Sequence, residues 1–170
     1  MTGTQQEYII RNIEEKDNRQ LAIVVRNTLA EFGANKPGTV FFDDTTDNLY
    51  QVFNDRLRSV YYVVTKGEKI FGGGGIYPTD GLPVNTCELV KMYLLPEARG
   101  RGLGKLLIEK CVEFAKSAGY KNVYLETMPE LKNALKVYEK LGFQYLDKPM
   151  GNSGHFGCDL WMMIALAPTA

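Results

Sequence analysis

Arg99-Gly100-Arg101-Gly102-Leu103-Gly104 lies between a stretch typical of a strand and an amphipathic helix, and it decides how the chain is interpreted. Its three alternating glycines allow the backbone to approach a ligand closely. A helix that begins there points its unpaired N–H groups and the positive end of its dipole at a bound anion. The stretch therefore predicts a loop that holds a pyrophosphate group.

The residues on either side of this loop predict a strand followed by a helix. Residues 86–95 form a long apolar run that ends at Pro96, because proline cannot continue a strand ladder. From Leu103 onward apolar residues recur at helical spacing, with lysines and glutamates on the opposite face, and Gly119 ends the pattern. Four consecutive glycines at 72–75 indicate a bulge or a close backbone approach in an earlier strand.

The remaining periodicities predict one α/β domain over residues 1–170. Further strands are expected at residues 7–13, 60–65, 69–77, 122–126, 143–146 and 158–165, and further helices at 17–32, at 46–58 and from a capping box at 127–130 to Gly142. Antiparallel strands come first, and a strand-helix-strand-helix-strand order follows. We therefore expect a mixed, mostly antiparallel sheet of about seven strands flanked by about four helices.

Composition argues against several classes of protein. Lysine plus arginine equals aspartate plus glutamate at 20 each, so no global field favours nucleic acid or an anionic membrane. Cys87, Cys111 and Cys158 are widely spaced and odd in number, which fits reduced cysteines. Residues 1–11 lack a basic stretch followed by an apolar core, and no apolar run approaches the roughly 20 residues that span a bilayer. We expect a cytoplasmic protein with no nucleic-acid or membrane partner.

The glycine run does not match two generic phosphate motifs. Its spacing differs from G-x-G-x-x-G, and Gly104-Lys105 lacks the earlier glycine and the following Ser or Thr of a P-loop. It does match the R/Q-x-x-G-x-G/A signature of the GNAT superfamily of acyl-CoA-dependent N-acyltransferases. Residues 88–104 resemble the family's motif A, and Val137-Tyr-Glu-Lys-Leu-Gly-Phe143 resembles its motif B. The resemblance covers residues 86–146 and implies a single GNAT-like domain.

The resemblance implies acetyl-CoA as cosubstrate and no metal. The pyrophosphate would be held by backbone N–H groups of Arg99, Gly100, Arg101, Gly102, Leu103 and Gly104, helped by the side chain of Arg99 or Arg101. The pantetheine arm would bind Met92, Tyr93 and Leu94, where one N–H group also polarises the thioester carbonyl. The family often has an Asn seven positions before its motif B tyrosine. Leu131 occupies that position here, so Asn133 is the nearest cofactor-binding candidate.

Two residues match the family's catalytic positions. Tyr138 corresponds to the general acid that protonates the leaving thiolate, although an aromatic residue on an amphipathic helix also fits a role in the core. Glu88 corresponds to a carboxylate base that deprotonates the amine, although a strand carboxylate is often only a salt-bridge partner, here of Lys91 or an arginine. The resemblance thus implies direct attack of an amine on the thioester in a ternary complex.

The acceptor-binding residues are less well defined. Phe41 and Phe42, beside two aspartates, lie where family members often build the acceptor pocket, and a solvated turn fits them equally. His155 is the one histidine and lies in a glycine-rich loop, where it would contact the substrate or be an ordinary exposed residue. His155 and Cys158 together supply two ligands, which make no closed metal site.

The sequence therefore predicts an N-acetyltransferase that moves the acetyl group of acetyl-CoA to a primary amine. The amine belongs to a small molecule or a peptide, and homodimers are common in the family. The alternative is a non-catalytic module that senses acyl-CoA, which needs the glycine loop but neither Glu88 nor Tyr138. RNA binding through Arg-Gly-Arg-Gly is disfavoured by the zero net charge and by the regular helix that follows.

Overall fold

The computed structural model describes residues 7–168, so the predictions for residues 1–6 and 169–170 lie outside it. The described strands are β1 (Ile9–Asn12), β2 (Val60–Lys66), β3 (Lys69–Tyr77), β4 (Thr86–Leu94), β5 (Asn122–Thr127), β6 (Gln144–Leu146) and β7 (Leu160–Ala165). The described α-helices are α1 (Asn18–Glu31), α2 (Leu49–Asn54), α3 (Leu103–Ser117) and α4 (Lys132–Lys140). The predicted α/β class is confirmed.

All seven described strands form one sheet, in the order β1-β2-β3-β4-β5-β7-β6. Every neighbouring pair is antiparallel except β4 and β5, which are parallel. One apolar cluster joins the sheet to α3 and α4, with Leu107 and Ile108 at its centre. A second cluster joins the sheet to α1 and α2 through Leu21, Leu49 and Phe53. The sheet is therefore covered on both faces, as a domain with one central sheet requires.

β4 and β5 separate partway along their length. Their ladder joins only Thr86, Cys87 and Glu88 to the first three residues of β5. Beyond Glu88 the edge of β4 that faces β5 has no strand partner among the described residues. Its backbone polar groups are therefore available to a ligand, because such groups need a hydrogen-bond partner when water is excluded.

A bulge occurs in β4 beside this opening. The β3–β4 register skips between Gly73 and Gly75, so Lys91 and Met92 together face the single residue Gly74. Lys91 has a φ of 50°, which is uncommon for a residue with a side chain. The buried hydroxyl group of Tyr61 donates a hydrogen bond of 2.8 Å to the Lys91 carbonyl oxygen. The extra residue of this bulge thus lies in β4, opposite the glycine run of β3 in which a bulge or a close backbone approach was expected, and Tyr61 supports it.

Replacing Tyr61 by phenylalanine is expected to lower the free energy of unfolding by about 1.5 kcal/mol, because the buried Lys91 carbonyl loses its donor. Urea denaturation measures the change. Tyr50→Phe is the matched control, since no hydrogen bond of the Tyr50 hydroxyl group occurs among the described residues. Equal stability of the two variants would contradict the proposed support of the bulge.

Two predicted helices have the wrong boundaries. The helix expected at 46–58 is shortened to α2, because Asp43 caps a preceding 3-10 turn by accepting from the Thr45 N–H group. The helix expected from a capping box at 127–130 begins instead at Lys132 without a side-chain cap. Thr127 cannot cap that helix, because it belongs to β5 and pairs with Leu160 of β7.

The three cysteines are free and buried, in agreement with the prediction of reduced thiols. No helix between residues 7 and 168 combines the length and the apolar character needed to cross a membrane.

Candidate active site

A large cavity opens where β4 and β5 separate. It has a volume of about 380 Å³ and is bounded by α1, β4, the glycine loop, α3 and α4. Its walls are formed by Thr28, Phe32, Met92, Tyr93, Leu94, Arg99, Gly100, Gly102, Gly104, Lys105, Ile108, Leu131, Asn133, Ala134, Val137 and Tyr138. Thr28 Oγ1 is completely buried and has no hydrogen-bond partner among residues 7–168. This cavity, the larger of two that adjoin each other, is thus lined by most of the residues predicted to bind a cosubstrate, including Asn133.

The glycine loop ends at the start of α3 and faces the larger cavity. Gly100 and Gly102 have φ angles of 70° and 76°, in the left-handed region that favours glycine. A Cβ atom at either position would meet no protein atom within 4 Å, so both backbones border open space. α3 begins at Leu103, and the N–H groups of its first turn have no partner within the helix. The loop and the helix end together form a site suited to an anion.

Both arginines of the loop are engaged with other protein groups. Arg99 forms a two-bond ion pair with Glu31 of α1, at 2.7 and 2.8 Å, and donates to the Leu94 carbonyl oxygen at 2.9 Å. Arg101 donates to the Glu97 carbonyl oxygen at 3.1 Å. The Arg99 backbone N–H group donates to the Pro96 carbonyl oxygen at 3.2 Å, so the free backbone donors of the loop are the N–H groups from Gly100 to Gly104. The Arg99 side chain also ties the loop to α1.

Tyr138 lies on α4 at the boundary between two cavities. It contributes to the wall of the larger cavity and to that of a smaller one, whose volume is about 40 Å³. Its ring packs edge-on against Phe143 at 5.7 Å, and no described residue hydrogen-bonds its hydroxyl group. Burial raises the pKa of Tyr138, so the phenol keeps its proton at neutral pH.

The smaller cavity shares Met92, Tyr93, Leu131 and Tyr138 with the larger one. Its other walls are formed by Thr39, Val40, Glu88, Leu89, Val90, Lys91, Glu126, Thr127, Met128, His155 and Cys158. Glu88, Glu126 and His155 each bring a polar atom to within 4.8 Å of the others. The smaller cavity is therefore polar and lies directly beside the larger one.

Glu88 lies on β4 at the last residue that pairs with β5. It is 3% exposed, and one carboxylate oxygen accepts a short hydrogen bond from Thr79. Burial raises the pKa of Glu88 to about 7, and the nearby Glu126 charge adds to the rise. A carboxylate with a pKa near neutrality is suited to accept a proton from a substrate.

Lys91 and His155, which line the smaller cavity, are linked by polar contacts through Asp43. Asp43 Oδ2 accepts from Lys91 Nζ at 2.9 Å and lies 3.3 Å from His155 Nε2. Burial acts to raise the pKa of Asp43, but the hydrogen bonds and charges of His155, Lys91 and Thr45 outweigh it and hold the pKa well below its ordinary value. The Nε2–H group of His155 can donate to Asp43, which leaves Nδ1 as an acceptor on the other side of the ring.

The structure brings most of the predicted site residues to these cavities. Phe41 and Phe42 line neither cavity, and Phe42 is 59% exposed. Glu126 was not predicted. Asp43 is one of the two aspartates beside Phe41 and Phe42 where an acceptor pocket was expected, and Lys91, expected as a partner of Glu88, pairs with Asp43 instead. Glu126 was detectable only as a charged residue that directly follows the apolar run 123–125 of β5. The partnership of Asp43 with Lys91 joins residues 48 positions apart, which no local pattern reveals.

Comparison with known proteins gives consistent results. Residues 28–143 match the model of the acetyltransferase (GNAT) family. The chain is 41% identical over 157 residues to the uncharacterized N-acetyltransferase YjgM of Escherichia coli, covering 91% of this chain and 93% of that protein. Its fold resembles a GNAT-family acetyltransferase from Staphylococcus aureus, with a TM-score of 0.83 and 17% identity over 95% of this chain and 100% of the other.

A further solved structure was determined with a bound molecule. It is YncA of Salmonella typhimurium, a putative acetyltransferase, which holds its cofactor acetyl-CoA. The TM-score is 0.74 at 18% identity, and the match covers 96% of each chain.

Proposed function

Because the chain belongs to the acetyltransferase (GNAT) family, we propose that it transfers the acetyl group of acetyl-CoA to a primary amine by direct attack. The chain is an acyltransferase, and we propose that its residues 1–170 form a single catalytic domain. The main support is the position of Glu88 and Tyr138 on two cavities that share four wall residues. A base and an acid on adjoining cavities suit a reaction in which one group gains a proton and another loses one.

The larger cavity is suited to the cosubstrate. The free N–H groups of the glycine loop and of the start of α3 would hold the pyrophosphate. The unpaired edge of β4 at Met92, Tyr93 and Leu94 would bind the pantetheine arm, and one N–H group there would stabilise the oxyanion. The unpartnered Thr28 hydroxyl group and the open space at Gly100 and Gly102 fit a bound molecule.

Glu88 and Tyr138 divide the proton transfers between them. Glu88 accepts a proton from the substrate ammonium group, which frees the nitrogen lone pair to attack the thioester carbon. Tyr138 donates its proton to sulfur as the carbon–sulfur bond breaks. The nitrogen loses its second proton as the amide forms, and that proton restores the tyrosine by way of solvent. Burial raises the basicity of both the phenolate and the developing thiolate, so the transfer between them stays feasible.

Direct attack is favoured over a route through a cysteine. Cys158 lines the smaller cavity and is the one thiol in either cavity wall. Burial raises its pKa to about 12, and the charges of Glu126 and Glu88 contribute to the rise. The thiolate, not the thiol, is the nucleophile, so Cys158 is unsuited to accept the acetyl group.

The proposed function is tested by measuring free thiol released from acetyl-CoA across a panel of amines, amino acids and peptides. Release that depends on one class of amine, with the acetylated amine identified by mass spectrometry, is the expected result. If acetyl-CoA binds in calorimetry and no acceptor gives release, the chain instead behaves as a sensor of acyl-CoA.

Replacing Gly102 by alanine is expected to weaken acetyl-CoA binding by about 10-fold or more. The left-handed φ of 76° is strained for a residue with a side chain, and the new methyl group points into the space that the pyrophosphate would occupy. Calorimetry measures the Kd.

Gly119→Ala is the matched control for this loop variant. Gly119 has a φ of 83° and equally open surroundings, but it lies at the far end of α3. It should lose a similar amount of stability, about 1–2 kcal/mol, without a change in the Kd. Equal weakening of binding in both variants would show that strain alone, and not the position of the loop, is responsible.

A further inference from the structure

The smaller cavity holds more negative charge than its own residues neutralise. Lys91 and Asp43 pair with each other at 2.9 Å, so the charge of one offsets that of the other. Glu88 and Glu126 remain, and their side chains are almost completely buried. Hydroxyl groups are their hydrogen-bond donors: Thr79 donates to Glu88, and Ser153 donates to Glu126. Two buried carboxylates without a neutralising cation are costly, so a cationic ligand would stabilise the site.

One oxygen of Glu88 is free for such a ligand. Its Oε2 atom accepts from Thr79, whereas no described residue donates to Oε1. Glu88 is 3% exposed, and it lines the smaller cavity. An unpartnered carboxylate oxygen on a cavity wall is a recognition site for a donor that the protein itself does not supply.

The geometry suits the three N–H donors of an alkylammonium group. Polar atoms of Glu88, Glu126 and His155 lie within 4.8 Å of one another. Three points so arranged all lie within about 2.8 Å of a central position, which is the usual distance from an ammonium nitrogen to an acceptor. His155 can take part as an acceptor, because its Nε2–H group faces Asp43 at 3.3 Å.

The same walls offer little to an acceptor carboxylate. Among the described residues that line the smaller cavity, Lys91 is the cationic side chain, and it is paired with Asp43; His155, as the neutral acceptor described above, carries no charge. A carboxylate next to the substrate amine would therefore meet Glu88 and Glu126 with no cation free to bind it. Like charges at such distances in a buried site are strongly unfavourable.

We propose that Glu88, Glu126 and His155 form a seat for the ammonium end of an unbranched aminoalkyl chain that has no carboxylate beside the amine. This inference rests on the proposed function, because it assigns the smaller cavity to the acceptor. A cavity of about 40 Å³ accommodates the narrow end of such a chain. The same chemical group occurs in free polyamines and in lysine side chains of peptides.

The test is calorimetry of the full chain saturated with CoA, with EDTA present. The probes are n-butylammonium, norleucine, which adds a carboxylate beside the amine and one methylene, and 1-butanol, which lacks the charge. We expect n-butylammonium to bind at least about 10-fold more tightly than either of the others. Norleucine or butanol binding as tightly as n-butylammonium would overturn the proposal. Putrescine and Nα-acetyl-lysinamide, measured in parallel, distinguish a free polyamine from a peptide as the source of the group.

Glu126→Gln tests the seat itself. It keeps the shape but removes one charge, and its single amide oxygen can accept from Ser153 or from Tyr124, which donate to different oxygens of Glu126. We expect n-butylammonium binding to weaken by about 10-fold, with the Kd for CoA unchanged. Glu113→Gln, on the exposed face of α3, is the control and should leave both affinities unchanged. Affinity for n-butylammonium that stays within about 2-fold in Glu126→Gln would contradict the assignment.

Thiol release from acetyl-CoA in the same samples separates this inference from the proposed function. Selective binding of n-butylammonium without thiol release supports the seat and contradicts the acetyltransferase. Release that is equally fast with norleucine supports the acetyltransferase and overturns the seat.

Discussion

Replacing Tyr138 by phenylalanine is expected to lower kcat for acetyl transfer by about 100-fold or more, because the leaving thiolate loses its proton donor. The Kd for acetyl-CoA should change by less than about 3-fold, since the ring and its packing against Phe143 are kept. Steady-state thiol release gives kcat, and calorimetry gives the Kd. A general acid affects the chemical step, so the loss should be in kcat rather than in binding.

Tyr145→Phe is the matched control for this substitution. The Tyr145 hydroxyl group donates to Glu139 on the surface, and the residue is 49% exposed and lines neither cavity. It should retain the turnover of the unmodified protein. If Tyr138→Phe also retained full turnover, the phenol would be a packing residue and the assignment of the acid would be wrong.

Replacing Glu88 by glutamine is expected to lower kcat/KM for the amine by about 100-fold at alkaline pH, because the amide cannot accept the ammonium proton. In the unmodified protein kcat/KM should rise as Glu88 loses its own proton, around its pKa of about 7. That rise should be absent in Glu88→Gln. A pH profile with an unchanged rise would assign the titrating group to another residue.

The stability of Glu88→Gln separates a catalytic effect from misfolding. The pKa of Glu88 is raised above its ordinary value, so the folded state binds this proton more tightly than the unfolded state does. The resulting stability is present at low pH and is lost as the pH rises through about 7. Relative to the unmodified protein, Glu88→Gln should therefore gain stability on the alkaline side, as measured by urea denaturation. If Glu88→Gln were less stable than the unmodified protein at alkaline pH, the ionised Glu88 carboxylate would not be destabilising the folded state.

Local sequence patterns predicted the glycine loop and the helix α3 that follows it. The alternating glycines predicted a loop whose backbone can approach a ligand, and Gly100 and Gly102 adopt the left-handed φ angles that glycine permits. The helical spacing after Leu103 predicted α3. The motif resemblance then gave Tyr138 and Glu88 as catalytic candidates, with Glu88 at the end of the strand opposite the loop, and both line the cavities described above. The family and fold class read from these motifs are confirmed.

The acceptor side could not be predicted in the same way, because it is assembled from distant segments. Asp43 lies in the loop after α1, and its partner Lys91 lies in the β4 bulge, 48 positions further along the chain. Glu126 becomes important through its closeness to Glu88, which depends on the parallel register of β4 and β5. Such pairings follow from the tertiary fold, whereas periodicity reports only which face of a strand or helix is buried.

The most direct test of direct attack by the amine is a rapid-quench experiment. The protein is mixed with acetyl-CoA, first without an amine and then with a productive amine. Mass spectrometry then measures free CoA, acetylated amine and the mass of the protein. Direct attack by the amine predicts no early CoA release and no change in protein mass without the amine. With the amine, CoA and acetylated amine should form in equal amounts. An acetyl group on Cys158 in the absence of amine, with a matching burst of CoA, would contradict the account.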